Sequence, residues 1–181
     1  MAKKFLMFCM SFLTILVVGA CSNGDSEESG HGDMDHSEMN HSSSGEVPDG
    51  LQEASDPAYK TGDKAVLNTD HMAGMKGAEA TIAGAYDTTV YSVSYTPESG
   101  GEKVTNHKWV IHEEIRSAGE QPFKPGEEVT LEADHMKGMK GAEAVIDSAE
   151  QTTVYMVDYT PAGGGEKVKN HKWVTEDELS P

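Results

Sequence analysis

The spacing of apolar residues predicts β-strands through most of the chain after residue 57. Apolar and polar side chains alternate there with a period of two, which places successive residues on opposite faces of a strand. In the clearest stretch, Tyr91, Val93 and Tyr95 fall on one face, with Val90 and Ser92 on the other. Only residues 112–115 and 176–179 favour a short helical turn. Strands are predicted at residues 65–67, 78–82, 88–96 and 103–110, and again at 129–131, 142–146, 152–160 and 167–174.

The second set of strands is a copy of the first, displaced by a constant 64 positions. Asp70-His71-Met72 recurs as Asp134-His135-Met136, and Trp109 recurs as Trp173. The shared words are DHMxGMKGAEA, TTVYxVxYTP, GGEKV and NHKWV. A fixed offset without insertions is typical of two copies of one small domain. We therefore expect one β domain at residues 58–117 and a second at residues 122–181.

The fold class expected from this pattern is all-β, with two tandem small SH3-like barrels. Four or five short strands in so small a unit favour closure, because closure removes exposed sheet edges. The glycine spacing over residues 62–82 also resembles the loop-and-strand start of SH3-like barrels of the KOW type. The RNA contacts frequent in that family are not expected here, because the basic loops that make them are absent.

The N-terminus predicts a lipoprotein. Lys3 and Lys4 precede an apolar run, and residues 18–20 (Val-Gly-Ala) stand directly before Cys21, which resembles the bacterial lipoprotein signal. Residues 1–20 are then the signal peptide, and Cys21 carries the lipid. Acyl chains on Cys21 would hold the protein at the outer face of the cytoplasmic membrane. Cys9 is lost with the signal, so no thiol remains for catalysis or a disulfide.

Residues 21–57 have the composition of a disordered tether. After Cys21 the segment has ten acidic residues, no Lys or Arg, and few large apolar side chains. The whole chain carries a formal charge of −17. Nucleic acid is excluded as a partner, because phosphate binding requires clustered basic residues.

Histidine and methionine residues are the candidate metal ligands. Imidazole and thioether groups together suit copper, and imidazole with carboxylate also suits zinc or nickel. In the tether the alternative is a polar spacer, and in the domains it is methionine as core filler. The tether candidates are His31, Met34, His36, Met39 and His41. The domain candidates are His71, Met72, Met75 and His107 in the first copy, and His135, Met136, Met139 and His171 in the second.

Trp109 and Trp173 leave two interpretations open. Each lies between polar residues near a strand end, where an indole either fills a core or offers a binding surface for a peptide or glycan. Motifs of catalysis are missing, since the chain has no nucleophile elbow, P-loop or HExxH sequence. The protein is not expected to be an enzyme.

The long repeated words, the lipid signal and the His/Met tether resemble the YdhK-type lipoproteins of Gram-positive bacteria over essentially the whole chain. The resemblance implies an outward-facing, membrane-anchored protein with two copies of a domain of unknown function. The residues add the hypothesis that it binds transition-metal ions, copper first. The alternative is a module that binds the cell wall or an envelope protein and has no metal role.

Overall fold

The computed structural model describes residues 42–181, and this part of the chain is built from antiparallel β-strands. Two 3₁₀ helices, His112–Glu114 and Glu176–Glu178, lie where short turns were predicted. The all-β prediction is therefore confirmed. The strands are β1 (Gln52–Glu53), β2 (Lys64–Leu67), β3 (Glu79–Tyr95), β4 (Val104–Ile111), β5 (Glu128–Thr130), β6 (Glu143–Tyr159), β7 (Val168–Thr175) and β8 (Leu179–Ser180).

The centre of the sheet is the pair of 17-residue strands β3 and β6. They run antiparallel along their whole length, from Ala80 opposite Tyr159 to Tyr95 opposite Ala144. Thr88 lies opposite Thr152, its own counterpart in the repeat. The two copies are thus related by an approximate twofold axis at this point.

The remaining strands branch from this pair without closing a barrel. The main path through the sheet is β5-β6-β3-β2-β8, while β1 and β4 pair with β3, and β7 pairs with β6. The finer prediction of closed SH3-like barrels is not confirmed by this open strand order.

Each of the two main hydrophobic cores combines half of one copy with half of the other. The first joins the start of copy one, including Leu67 and Ile82, to the end of copy two, including Tyr155. The second joins Tyr91 of copy one to Leu131 of copy two and their neighbours. The copies are therefore intertwined, because each contributes side chains to both cores.

A third, smaller cluster holds the two tryptophans. Trp109 and Trp173 pack there with four further buried apolar residues from β3, β4 and β6. Both indoles lie in the interior, with 8% and 0% of their surface exposed. This placement matches the core interpretation of the tryptophans, and neither ring forms a surface in this structure.

Two features differ from the sequence expectation. The strands predicted at residues 78–82 and 88–96 are one continuous strand, and so are those predicted at residues 142–146 and 152–160. Pairing between β3 and β6 carries the backbone through both intervals, with register shifts. Order also begins before residue 57: residues 42–48 pack against β7, and β1 pairs with β3. Main-chain and side-chain hydrogen bonds order residues 42–48, and Leu51 packs against the cluster that holds the tryptophans. Within residues 42–181 no helix is long and apolar enough to cross a membrane.

Candidate functional site

Irregular pairing in β4 and β7 determines where the side chains of the repeated Asn-His-Lys-Trp segment point. Register shifts interrupt both strands here, and Asn106 and Asn170 each adopt φ +52°. Such bulges turn side chains away from the regular alternation of a strand. As a result the tryptophans point inward, while His107 and His171 pack edge-on against Tyr95 and Tyr159 of the long strands.

A glutamate from each copy, buried at Glu114 and largely buried at Glu178, binds a histidine and a tryptophan of the other copy. Glu178 accepts hydrogen bonds from His71 Nε2 (2.7 Å) and Trp109 Nε1 (2.9 Å). The related carboxylate of Glu114 accepts from His135 Nε2 (2.9 Å) and Trp173 Nε1 (3.0 Å).

A main-chain N–H near the 3₁₀ helix adds a further donor to each set, and Thr69 Oγ1 also donates to Glu178 (3.1 Å). Ile111 N donates to Glu114, and Thr175 N donates to Glu178. The hydrogen bonds of Glu114 and those of Glu178 therefore link the two copies at two places.

These contacts hold both carboxylates in their charged form. Burial alone would raise the pKa of Glu178, but the hydrogen bond and charge of His71, with the Trp109 and Thr175 donors, lower it to about 2. Burial opposes ionisation of Glu114 too, yet His135, Trp173 and Ile111 lower its pKa below the usual value. Because an ionised carboxylate only accepts hydrogen bonds, Nε2 of His71 and of His135 carries the proton.

Six of the eight metal candidates in the two copies line one cleft. It has a volume of about 980 Å³ and takes its walls from both copies. Met75 and Met139, by contrast, are fully buried in the two cores. The six candidates in the cleft are His71, Met72, His107, His135, Met136 and His171.

Two buried side-chain nitrogens in the described part of the chain have no hydrogen-bond partner: His71 Nδ1 and His107 Nε2. Both belong to residues that line the cleft. Burial, with the nearby His135 and His71, lowers the pKa of His107 to about 4. His107 is therefore a neutral imidazole at neutral pH, the form that binds metals.

The cleft is not already arranged as a complete metal site. Among residues 42–181, no three His, Cys, Asp or Glu side chains stand together so as to hold an ion. The rings of His107 and His135 lie 6.4 Å apart between centroids. Since imidazole nitrogens bind first-row metals at about 2 Å, small side-chain rotations would let two rings share one ion.

Sequence reasoning missed Glu114 and Glu178. A signal was present, because both carboxylates keep the 64-residue offset and follow the repeated tryptophans by five positions. The predicted tether ligands and Cys21 lie outside the described residues.

The fold and cleft define a class of protein: two intertwined copies of one all-β repeat, with histidines and methionines gathered where the copies meet. The sequence pattern of the family described as "Protein of unknown function (DUF1541)" matches residues 61–112 and 125–176. The chain belongs to this family.

The relatives of this chain include the uncharacterized protein YdhK of Bacillus subtilis strain 168. The two sequences are 59% identical over 183 residues, which cover 98% of this chain and 89% of that protein. The crystal structure of ydhK from this species at 2.00 Å is 68% identical and has a TM-score of 0.76, covering 79% of this chain and 97% of that one. The solution structure of a ydhK C-terminal domain is 69% identical, with a TM-score of 0.64, covering 67% of this chain and 92% of that one.

Proposed function

We propose that this protein is a lipid-anchored extracytoplasmic lipoprotein that binds transition-metal ions, copper first, and catalyses no reaction. The Cys21 signal supports the anchor and the location at the outer face of the cytoplasmic membrane. The observation that carries the metal proposal is the cleft, where four imidazoles and two thioethers converge from separate parts of the sequence.

The chemistry of the cleft favours a soft, thiophilic ion. Thioether sulfur prefers Cu(I), whereas imidazole binds both oxidation states of copper. His71 Nδ1 and His107 Nε2 are buried ring nitrogens that the protein itself does not satisfy with a hydrogen bond. Burying such atoms without a partner is unfavourable, so an ion that engages them gains binding free energy at this site.

Glu114 and Glu178 support this role as positioning residues. Each holds a proton of its histidine on Nε2, so Nδ1 is the ring nitrogen available to a metal ion when the imidazole is neutral. A carboxylate that orients a ligating histidine in this way is common around protein metal sites. The hydrogen bonds to Trp109 and Trp173 hold the carboxylates themselves in place.

The candidate ligands of the tether lie directly before a segment of the chain that lines the cleft. His41 is followed by residues 42–48, and several of these line the same cleft. We infer that His31, Met34, His36, Met39 and His41 collect ions, and that the cleft holds them.

Titration of the mature protein with Cu(I) and Cu(II), in competition with a chromophoric chelator, tests the proposal. The double variant His71→Ala/His107→Ala should weaken Cu(I) binding by tenfold or more. Met72→Leu/Met136→Leu should also weaken it. Met75→Leu/Met139→Leu is the matched control, because these methionines lie in the cores and binding should be unchanged.

Replacing the five tether candidates by alanine measures the tether's share separately. Wild-type affinity in both the cleft and tether variants would overturn the metal proposal. The interaction module without a metal role would then be the better explanation of the family's structure.

A further inference from the structure

The first described residues of the chain form a strap, residues 42–48, that docks on the outer edge of β7. Ser43 N donates to Lys169 O (3.0 Å), and Ser43 Oγ donates to Asn170 O (2.7 Å). Lys169 N donates to Ser42 Oγ (2.9 Å), and Asn170 Nδ2 donates to Ser43 O (3.2 Å). The edge therefore recognises an extended peptide mainly through main-chain groups and one asparagine, as sheet edges do in peptide-binding domains.

The strap fits this edge because of one glycine. Gly45 has φ +82°, and a Cβ at this position would lie 2.9 Å from Asn170 Nδ2. Gly50 provides a comparison, since it has φ +90° but no atom within 4 Å of the corresponding Cβ position. A side chain at Gly45 would therefore meet both strain and collision, and one at Gly50 only strain.

The same edge exists in the first copy. Asn106 repeats Asn170 and shares its φ of +52°. Its N–H donates to Ser94 on β3, just as Asn170 N donates to Asp158 on β6. The one change, Thr105 for Lys169, leaves the docking groups in place, because the strap contacts only the main chain of Lys169.

The two edges differ in what covers them. Asn170 and Lys172 are partly buried, and Lys172 Nζ donates to the main-chain oxygen of Glu46 in the strap. Thr105, Asn106 and Lys108 are exposed. The first copy thus presents, in the same backbone conformation, the surface that its twin uses to hold a peptide.

We propose that residues 105–108 are a docking edge for an extended, serine- and glycine-containing peptide from another protein chain. The strap shows the chemistry of the occupant: small hydroxyl residues, a glycine with positive φ, and a main-chain oxygen for the lysine. A second copy of this protein is disfavoured as the source, because its strap is already held by its own β7 edge.

An NMR titration of the ¹⁵N-labelled mature chain with the synthetic peptide Ser-Ser-Ser-Gly-Glu-Val-Pro, the strap sequence, tests this proposal. Saturable shifts are expected at the amides of residues 105–108. The same peptide carrying Gly45→Val should give no shifts, because its side chain would collide with Asn106.

The protein variant Gly45→Val supplies an internal standard. It should release the strap, so the peptide should then shift residues 169–172 as well. Gly50→Val is the matched control, and its residues 169–172 should stay unresponsive to the peptide.

Two results would overturn the proposal of an edge for another chain. One is the absence of shifts at residues 105–108, whether or not residues 169–172 respond in the Gly45→Val protein. The other is a concentration-dependent shift at residues 105–108 without peptide, since this would identify a second copy as the occupant.

Discussion

At the scale of single residues, Glu114 and Glu178 do most to order the interior around the cleft. Each is a mostly buried charge with at least three donors, which is how such a charge is tolerated inside a protein. One charge-assisted hydrogen bond contributes about 1.5 to 3 kcal/mol. Loss of either carboxylate would also release a histidine of the cleft.

His107 should make the stability of the metal-free protein depend on pH. Its pKa is about 4 in the folded state, against the ordinary value of 6.5 for histidine. In the unfolded chain His107 therefore binds a proton below about pH 6.5, whereas in the folded protein it does so only below about pH 4. Stability is complete above pH 6.5 and falls between these values, by about 2 kcal/mol from pH 7 to pH 5. Urea unfolding with a chelator present measures this loss.

The variant His107→Gln isolates this effect, because glutamine does not titrate. Its stability should fall by about 2 kcal/mol less between pH 7 and pH 5 than that of the wild type. His112→Gln serves as the control, since His112 lies outside the cleft and His107 remains. Equal pH slopes for wild type and His107→Gln would contradict the assignment.

Glu178 affects stability in a different pH range. Its pKa is lowered to about 2, so the stabilisation that it provides is lost only as pH falls below about 4.5.

At the scale of elements, the alternation of residues predicted most strands and both 3₁₀ turns. It did so because period two and the turn glycines are local signals. The joining of predicted strands into β3 and into β6 was not predicted, because it depends on the pairing of these two strands with each other and not on a local pattern. Of the site, the histidines were found by residue type. That both copies contribute to one cleft was not predicted, because it depends on which strands pair.

The glycine loops at residues 74–77 and 138–141 connect each copy to a turn of the other. Gly74 O accepts from Ala162 N (2.9 Å), and a Cβ at Gly74 would lie 2.8 Å from Pro161 Cβ. Gly77 has nearly the same φ, +80° against +79°, but no atom lies within 4 Å of its Cβ position.

Gly74→Ala should therefore destabilise the protein more than Gly77→Ala does. The left-handed backbone alone costs about 1 to 2 kcal/mol for alanine, and the collision with Pro161 adds about 1 to 3 kcal/mol at Gly74. Chemical unfolding of both variants measures the difference. Equal losses would mean that this loop does not press on the second copy.

At the scale of the whole molecule, the two copies are intertwined although the sequence pattern does not specify which copy completes each core. Residues that complete a core are nearly the same in both copies, so each half-core accepts either partner. Leu67 corresponds to Leu131, Ile82 to Ile146, and Tyr91 to Tyr155. Strand patterns specify these halves but not which copy supplies them.

One copy alone should consequently fold only as a homodimer. In a dimer of residues 118–181, β6 would pair with β6 of the partner chain. Ala144 would then lie opposite Tyr159 at both ends of this pair, in place of the native pairs Ala80–Tyr159 and Tyr95–Ala144. The cores would differ from the native ones only by small changes such as valine for Ala65, which cores tolerate.

Sedimentation equilibrium of this single copy should give twice the chain mass, and its unfolding temperature should rise with protein concentration. Residues 42–181, which contain both halves of each core in one chain, should remain monomeric with a concentration-independent unfolding temperature. A folded monomer of residues 118–181 would contradict the shared cores.

Because each carboxylate orients a histidine of the other copy, the dimer of residues 118–181 should also rebuild two Glu178–His135–Trp173 sets across its axis. Its Cu(I) stoichiometry per pair of copies should then equal that of residues 42–181.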